Sequence, residues 1–92
     1  MSILTDQEVV QIARGVAAAN NVSVAEVLTA PTLDSTGALA LEVKLVLTPG
    51  SSVSIMGERS ALTVSELIRQ LADKGEQRLP IVRYEEKVAA GS

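Results

Sequence analysis

The sequence lacks cysteine, histidine, phenylalanine and tryptophan, and it contains a single tyrosine. Without cysteine the chain can form no disulfide and offers no thiolate to a metal ion or a substrate. Without histidine it lacks the side chain best suited to proton transfer near neutral pH, which is also the commonest transition-metal ligand. Catalytic triads that need histidine are excluded. We therefore expect a non-enzymatic protein with no catalytic residue, no cofactor and no metal site.

Positive charge is also scarce. Eight lysine and arginine residues stand against eleven acidic ones, which gives a net charge of −3, and no two basic residues are adjacent. Nucleic-acid-binding proteins usually require clustered lysine and arginine. The composition therefore argues against a nucleic-acid partner.

Long hydrophobic runs are missing too. The longest, residues 38–47, is interrupted by Glu42 and Lys44 and is too short to span a bilayer. The first eight residues carry Asp6 and Glu8 and no basic segment, so we expect no secretory signal. These features predict a soluble cytoplasmic protein that does not bind membranes.

Three segments share one pattern: an apolar residue, serine or threonine, two residues, glutamate, and an apolar residue. They are residues 4–9, 22–27 and 62–67. This pattern is typical of a capping box at a helix start. The first segment predicts a helix over about 6–19, and the third predicts a helix that Thr63 caps and Lys74-Gly75 ends. The middle segment is rich in β-branched residues and precedes Pro31, which favours a strand over about 24–30.

The remaining segments predict two further strands. Residues 32–37 have turn chemistry, and residues 39–47 alternate so that the leucines and Val43 at odd positions share one face. Residues 49–59, which contain glycine and several serines, are expected to form a long loop. The last strand is expected over 79–84, where Pro80, which cannot donate a backbone hydrogen bond, indicates a strand start or a sheet edge.

The predicted order α-β-β-α-β indicates a single α+β domain spanning residues 1–92, with residues 86–92 as a frayed tail. We expect two layers, a three-stranded sheet with both helices packed on one face, and a right-handed crossover into the last strand. The face turned away from the helices would carry Glu42, Lys44 and Val46, joined by Val82 and Tyr84. Dimerisation through that face or through an open edge would protect it.

Arginine and tyrosine anchor protein interfaces more often than most residues. Arg78, Arg83 and Tyr84 lie in or near the last predicted strand, and Glu42 and Lys44 lie in the strand expected to cross the middle of the sheet. These five residues are our candidate partner-binding site. The sequence thus predicts a small interaction or regulatory module that binds a protein partner and self-associates.

Two alternatives come from other functional classes. Gly57, Arg59 and Ser60 precede the expected second helix, and the element order resembles that of KH-type RNA-binding domains, whose Gly-x-x-Gly loop approaches four nucleotides. Ser60 replaces the second glycine of that loop, and Glu58 adds a negative charge beside it. A hydrolase or transferase that uses carboxylates alone is the other alternative, and it would need two acidic side chains converging in a pocket.

Two segments also resemble a group of short, uncharacterised bacterial α/β proteins. Residues 32–47 combine an Asp34-x-x-Gly37 turn with Ala38-Leu39 at a strand start, and residues 80–84 spell Pro-Ile-Val-Arg-Tyr. Some members of that group are encoded beside toxin-like or defence-related partners. The resemblance implies a partner-binding role and carries over no catalytic residue. The long loop at residues 49–59 departs from the pattern of that group.

Overall fold

The computed structural model describes residues 3–50 and 58–87. These residues form two helices and three strands: α1 (Asp6–Ala19), β1 (Val24–Leu33), β2 (Leu39–Leu47), α2 (Glu58–Asp73) and β3 (Leu79–Glu86). This is the predicted α-β-β-α-β order. Within the described part of the chain, neither helix is long and apolar enough to cross a membrane.

The predicted capping box begins α1. The Thr5 hydroxyl accepts the Glu8 backbone N–H at 3.2 Å, and the Glu8 carboxylate accepts the Thr5 N–H at 3.0 Å. The helix ends where Asn21 adopts a left-handed conformation with φ 58°. The Val22 N–H then reaches back to the Ala17 carbonyl at 2.8 Å, which satisfies one of the last carbonyls of the helix. The prediction for α1 is confirmed at both ends.

The start predicted for α2 is wrong. The helix begins at Glu58, five residues before the expected cap, because Glu58, Arg59, Ala61 and Leu62 are all good helix formers. Thr63 is fully buried inside the helix, and its hydroxyl donates to the Arg59 carbonyl at 2.9 Å. Such a bond is a common way for a threonine within a helix to satisfy its hydroxyl.

The sheet has the order β1-β2-β3, with β1 antiparallel and β3 parallel to the central strand β2. β1 runs three residues past the predicted end at Ala30. The turn between β1 and β2 uses the predicted chemistry: the Asp34 carboxylate accepts the N–H groups of Thr36 at 2.8 Å and Ala38 at 3.0 Å. Gly37 adopts a φ of 84°, which favours glycine.

Each edge strand carries one proline, and both prolines turn their nitrogen away from β2. In β1, the Asp34 N–H donates to the Ala38 carbonyl. The N–H groups of alternate residues point to β2, so the even-numbered residues of β1 bond to it and the nitrogen of Pro31 points away. In β3, the Lys87 N–H donates to the Leu47 carbonyl. The odd-numbered residues of β3 therefore bond to β2, and the nitrogen of Pro80 points away from it. Neither proline therefore removes a hydrogen bond from the sheet, as expected for edge strands.

Both helices pack on the same face of the sheet, as predicted. Leu41, Val43 and Leu45 of β2 are fully buried there. They form one core with buried residues of α1, β1 and α2, namely Val9, Ala13, Val16, Val27, Leu67 and Leu71. Leu39 shares the alternation of these β2 residues but lies at the turn and stays exposed.

Val82 and Tyr84 lie on the helix side of the sheet. The parallel register sets Val82 beside Val43 and Tyr84 beside Leu45, and both side chains pack against the core. The prediction that these two residues join the opposite face is wrong. β3 also continues to Glu86, so this residue of the expected tail belongs to the sheet, while residues 88–92 lie outside the described part of the chain.

Candidate functional site

The side of the sheet turned away from the helices is our candidate site, and we call it the outer face. Its twelve residues follow from the alternation of the strands: Glu26, Leu28, Ala30 and Thr32 of β1, Ala40, Glu42, Lys44 and Val46 of β2, and Leu79, Ile81, Arg83 and Glu85 of β3. Both described helices pack on the other side. Three of the five predicted partner-binding residues, Glu42, Lys44 and Arg83, come together here.

Four charged side chains form two crossed ion pairs between β2 and β3. Lys44 Nζ lies 3.3 Å from Glu85 Oε2, and Arg83 Nε lies 3.4 Å from Glu42 Oε2. Lys44 and Arg83 are direct neighbours in the register, so each positive group turns diagonally to a carboxylate instead of facing the other. The four residues therefore make a cluster with equal positive and negative charge, which we call the charge ladder.

The charge ladder becomes more exposed toward the edge of the sheet. The β3 side chains of Arg83 and Glu85 are 64% and 58% exposed, whereas the β2 side chains of Glu42 and Lys44 are each half-buried. Exposed ion pairs of this kind contribute little to folding stability, about 0–1 kcal/mol each. Arg83 and Glu85 are therefore accessible to a partner.

Apolar residues surround the charge ladder. Leu28 of β1 is 47% exposed and Leu79 of β3 is 52% exposed, while Val46 and Ala40 of β2 are buried between their neighbours. Apolar surface beside arginine is common in protein interfaces, because their buried centres are enriched in arginine and depleted of lysine, aspartate and glutamate. The outer face thus combines apolar area with specific charged groups.

Tyr84 was predicted to bind a partner, but its ring points to the helix layer. Its hydroxyl donates to the Ser60 carbonyl in the first turn of α2 at 3.1 Å, which ties β3 to that helix. Burial raises the pKa of the Tyr84 phenol, although hydrogen bonds from the phenol oxygen oppose the shift. The side chain of Tyr84 therefore does not belong to the outer face, whereas its backbone lies on the edge of β3 that no strand of the described residues covers.

Arg78, another predicted partner-binding residue, is held by an internal ion pair. Its Nη2 and Nε atoms each lie 2.9 Å from a different carboxylate oxygen of Glu76. The Arg78 side chain is only 9% exposed. This burial argues against a direct role in partner binding and makes Arg78 part of the folded framework.

The Glu76 carboxylate joins three parts of the chain. Besides the Arg78 guanidinium, it accepts the backbone N–H of Leu4 at 3.1 Å and that of Arg78 at 2.9 Å. These contacts connect the start of α1 to the start of β3. The Arg78 guanidinium, with these N–H groups, lowers the pKa of Glu76 from 4.5 to about 2. Sequence analysis missed this site, because a Glu-x-Arg spacing alone does not predict a buried carboxylate.

The alternative nucleic-acid loop has a different structure where it is described. Arg59 and Ser60 lie in the first turn of α2 and not in a loop. The Ser60 carbonyl accepts the Tyr84 hydroxyl. Gly57 lies outside the described residues. Two of the three residues of the predicted loop, Arg59 and Ser60, are therefore helical.

Acidic residues do not gather into a metal-binding group within residues 3–50 and 58–87. Asp34, the acidic residue beside two hydroxyl groups in the sequence, holds the β1–β2 turn. Hydrogen bonds from the Thr36 hydroxyl and nearby N–H groups lower the pKa of its carboxyl group. Its role in the structure is to fix the turn.

Comparisons with known proteins provide no further assignment. The sequence matches no protein-family model, no curated protein and no solved structure. The resemblance to short bacterial α/β proteins therefore stays a prediction.

Proposed function

We propose that this protein is a non-catalytic binding and regulatory module whose first partner is a second copy of itself. The proposed binding surface is the outer face of the sheet together with the adjoining edge of β3. The charge ladder carries this proposal, because it places four complementary charged groups beside half-exposed leucines on the side opposite both described helices.

The charges of the ladder favour a protein partner. Arg83 and Lys44 supply two positive groups, and Glu42 and Glu85 supply two negative ones. A surface with this alternation matches another surface with the same alternation, and such complementarity provides specificity. A polyanion gains nothing from it, since every positive group already lies beside a carboxylate. The net charge of −3 acts in the same direction.

The position of the exposed groups also supports binding at the β3 side. Arg83 and Glu85 are the most exposed charges of the ladder and lie on an edge strand. A strand at a sheet edge presents unpaired backbone groups that another strand can pair with. Backbone pairing and side-chain charge matching are therefore available at one place on the surface.

Light scattering coupled to size-exclusion chromatography, over a concentration series, tests the proposal. We expect a concentration-dependent dimer that Arg83→Glu weakens by about 10-fold or more, because arginine is enriched among the interface residues whose loss costs ~2 kcal/mol or more. Arg69→Glu is the matched control, since it changes charge equally on an exposed position of α2. A strict monomer across the series, or equal effects of both variants, would contradict the proposed self-association.

A cytoplasmic location is part of the same proposal. Fractionation of host cells with an antibody against the chain would test it, and recovery in the membrane or secreted fraction would contradict it. The same antibody, used for capture with mass spectrometry, would identify any partner other than a second copy.

A further inference from the structure

We propose that two copies of the chain pair through their β3 edges, antiparallel and about a two-fold axis at Tyr84, so that the two three-stranded sheets become one. This inference rests on the proposed function, because it names the edge and the register through which self-association would occur. The argument uses the backbone alternation of β3, the state of the competing edge β1, and the charges that each register brings together.

No strand among the described residues covers the outer edge of β3, and its backbone donors are interrupted only at Pro80. The bond from the Lys87 N–H to the Leu47 carbonyl fixes the alternation, so odd-numbered residues of β3 bond to β2. The backbone N–H groups of Val82 and Tyr84 then point away from the sheet. Pro80 is the residue without a donor, and it lies at the beginning of the strand. At Val82 and Tyr84 the edge can therefore pair with another strand.

The competing edge, on β1, is interrupted at two places. Pro31 removes a donor in the middle of the outward-facing series. Near the other end, the register shifts between Val24 and Glu26, and the Arg14 guanidinium lies 3.4 Å from the carbonyl of the intervening Ala25. Prolines and bulges are common means by which edge strands avoid pairing. Of the two described edges, β3 is the one whose register has no shift and whose proline lies near the end of the strand.

Among the registers centred on Val82, Arg83 and Tyr84, charge favours one for the β3 pair. With the axis at Tyr84, Arg83 lies directly opposite Glu85 of the second copy, and Glu85 lies opposite Arg83 of that copy. With the axis at Arg83, the two Arg83 side chains would face each other. With the axis at Val82, Arg83 would face Ile81. Opposite charges at directly facing positions stabilise a strand pair and like charges destabilise it, so the axis at Tyr84 is preferred.

This register also satisfies the backbone. Tyr84 would form a hydrogen-bonded pair with itself across the axis, because its N–H and carbonyl both point outward. The ion pairs within each chain would continue across the axis in the alternating order Glu42, Arg83, then Glu85 and Lys44 of the second copy. The charge ladder of one chain would thus become part of a longer ladder with no like charges in contact.

Engineered cysteines can measure this register directly, because the chain has no cysteine of its own. Arg83→Cys and Glu85→Cys proteins are mixed under mild oxidation and analysed on a non-reducing gel. Facing residues that are not hydrogen-bonded have Cα atoms about 4.5 Å apart, within the ~4.4–6.8 Å that a disulfide spans. We expect a disulfide-linked dimer in the mixture and little in either protein alone. Mixed Arg69→Cys and Asp73→Cys proteins control for random collision.

The outcomes separate this inference from the function on which it rests. Cross-linking of Arg83→Cys alone would show the axis at Arg83 and overturn the register. A wild-type dimer by light scattering without cross-linking between positions 83 and 85 would overturn the β3 pairing and leave self-association standing. A wild-type monomer at every concentration would overturn both.

A charge exchange provides a second measurement that needs no disulfide. Arg83→Glu and Glu85→Arg should each dimerise at least about 10-fold more weakly than the wild type, because like charges then face each other across the axis. A mixture of the two should recover association, since each facing pair again has opposite charge. The exposed pair Arg69→Glu and Asp73→Arg is the matched control. Equal association of the mixture and the separate variants would contradict the facing of Arg83 and Glu85.

Discussion

Glu76 shows how one residue can hold several elements together. Its carboxylate is buried, pairs with Nε and Nη2 of the Arg78 guanidinium, and accepts two backbone N–H groups. A buried charge is tolerated only when such partners replace the water it loses. The start of α1, through Leu4, and the start of β3, through Arg78, depend on this single group.

The lowered pKa of Glu76 predicts a loss of stability in acid. The folded protein holds the pKa at about 2, whereas the ordinary value is 4.5, so between these pH values the unfolded chain binds more protons. The contribution of Glu76, of the order of 3 kcal/mol, is then complete above pH 4.5 and declines as the pH falls toward 2. Denaturant unfolding across this pH range measures the free energy of unfolding directly.

Glu76→Gln tests the assignment. This variant should be less stable near neutral pH by about 3–5 kcal/mol, because it leaves the Arg78 guanidinium buried without its counter-charge. It should also lose most of the stability change between pH 4.5 and 2. Glu26→Gln, which removes an exposed carboxylate of β1, is the control. An acid dependence in Glu76→Gln equal to that of the wild type would assign the effect to other carboxylates.

At the scale of elements, one short sequence pattern has three different structures. Residues 4–9 form a capping box, residues 22–27 enter a strand, and residues 62–67 lie within a helix. The flanking residues explain the differences. Valines and Pro31 favour the strand, and the helix-forming residues before Thr63 extend α2 toward its N-terminus. The pattern together with its flanking residues therefore predicted the type of every element, but it did not predict where α2 begins.

Double-mutant cycles distinguish the true cap from the false one. Thr5→Ala should lower the free energy of unfolding by about 1 kcal/mol, and it should couple to Glu8→Ala by about 0.5 kcal/mol or more. Thr63→Val and Glu66→Ala should show no coupling, because the Thr63 hydroxyl bonds to the Arg59 carbonyl and the Glu66 carboxylate to the Gln70 amide. Coupling between Thr63 and Glu66 as large as that between Thr5 and Glu8 would contradict this difference.

At the scale of the whole molecule, the sequence predicted the two-layer arrangement because apolar and polar residues alternate clearly in β2. It did not predict which residues of β3 face the helices. Ile81 and Val82 are both apolar, so alternation alone could not show which of them faces the helices. The parallel pairing with β2 decided it, and that pairing joins residues far apart in the sequence. Glu42, Lys44 and Arg83 were predicted as one site and lie together, whereas the side chains of Arg78 and Tyr84 turn inward.

Hydrogen exchange of individual backbone amides most directly tests the central claim, which is self-association at the edge of β3 beside the outer face. The amides of Val82 and Tyr84 point outward from β3, and those of Val27 and Thr29 point outward from β1. As protein concentration rises, we predict slower exchange at Val82 and Tyr84 and unchanged exchange at Val27 and Thr29. Exchange at Val82 and Tyr84 that does not depend on concentration would contradict the account.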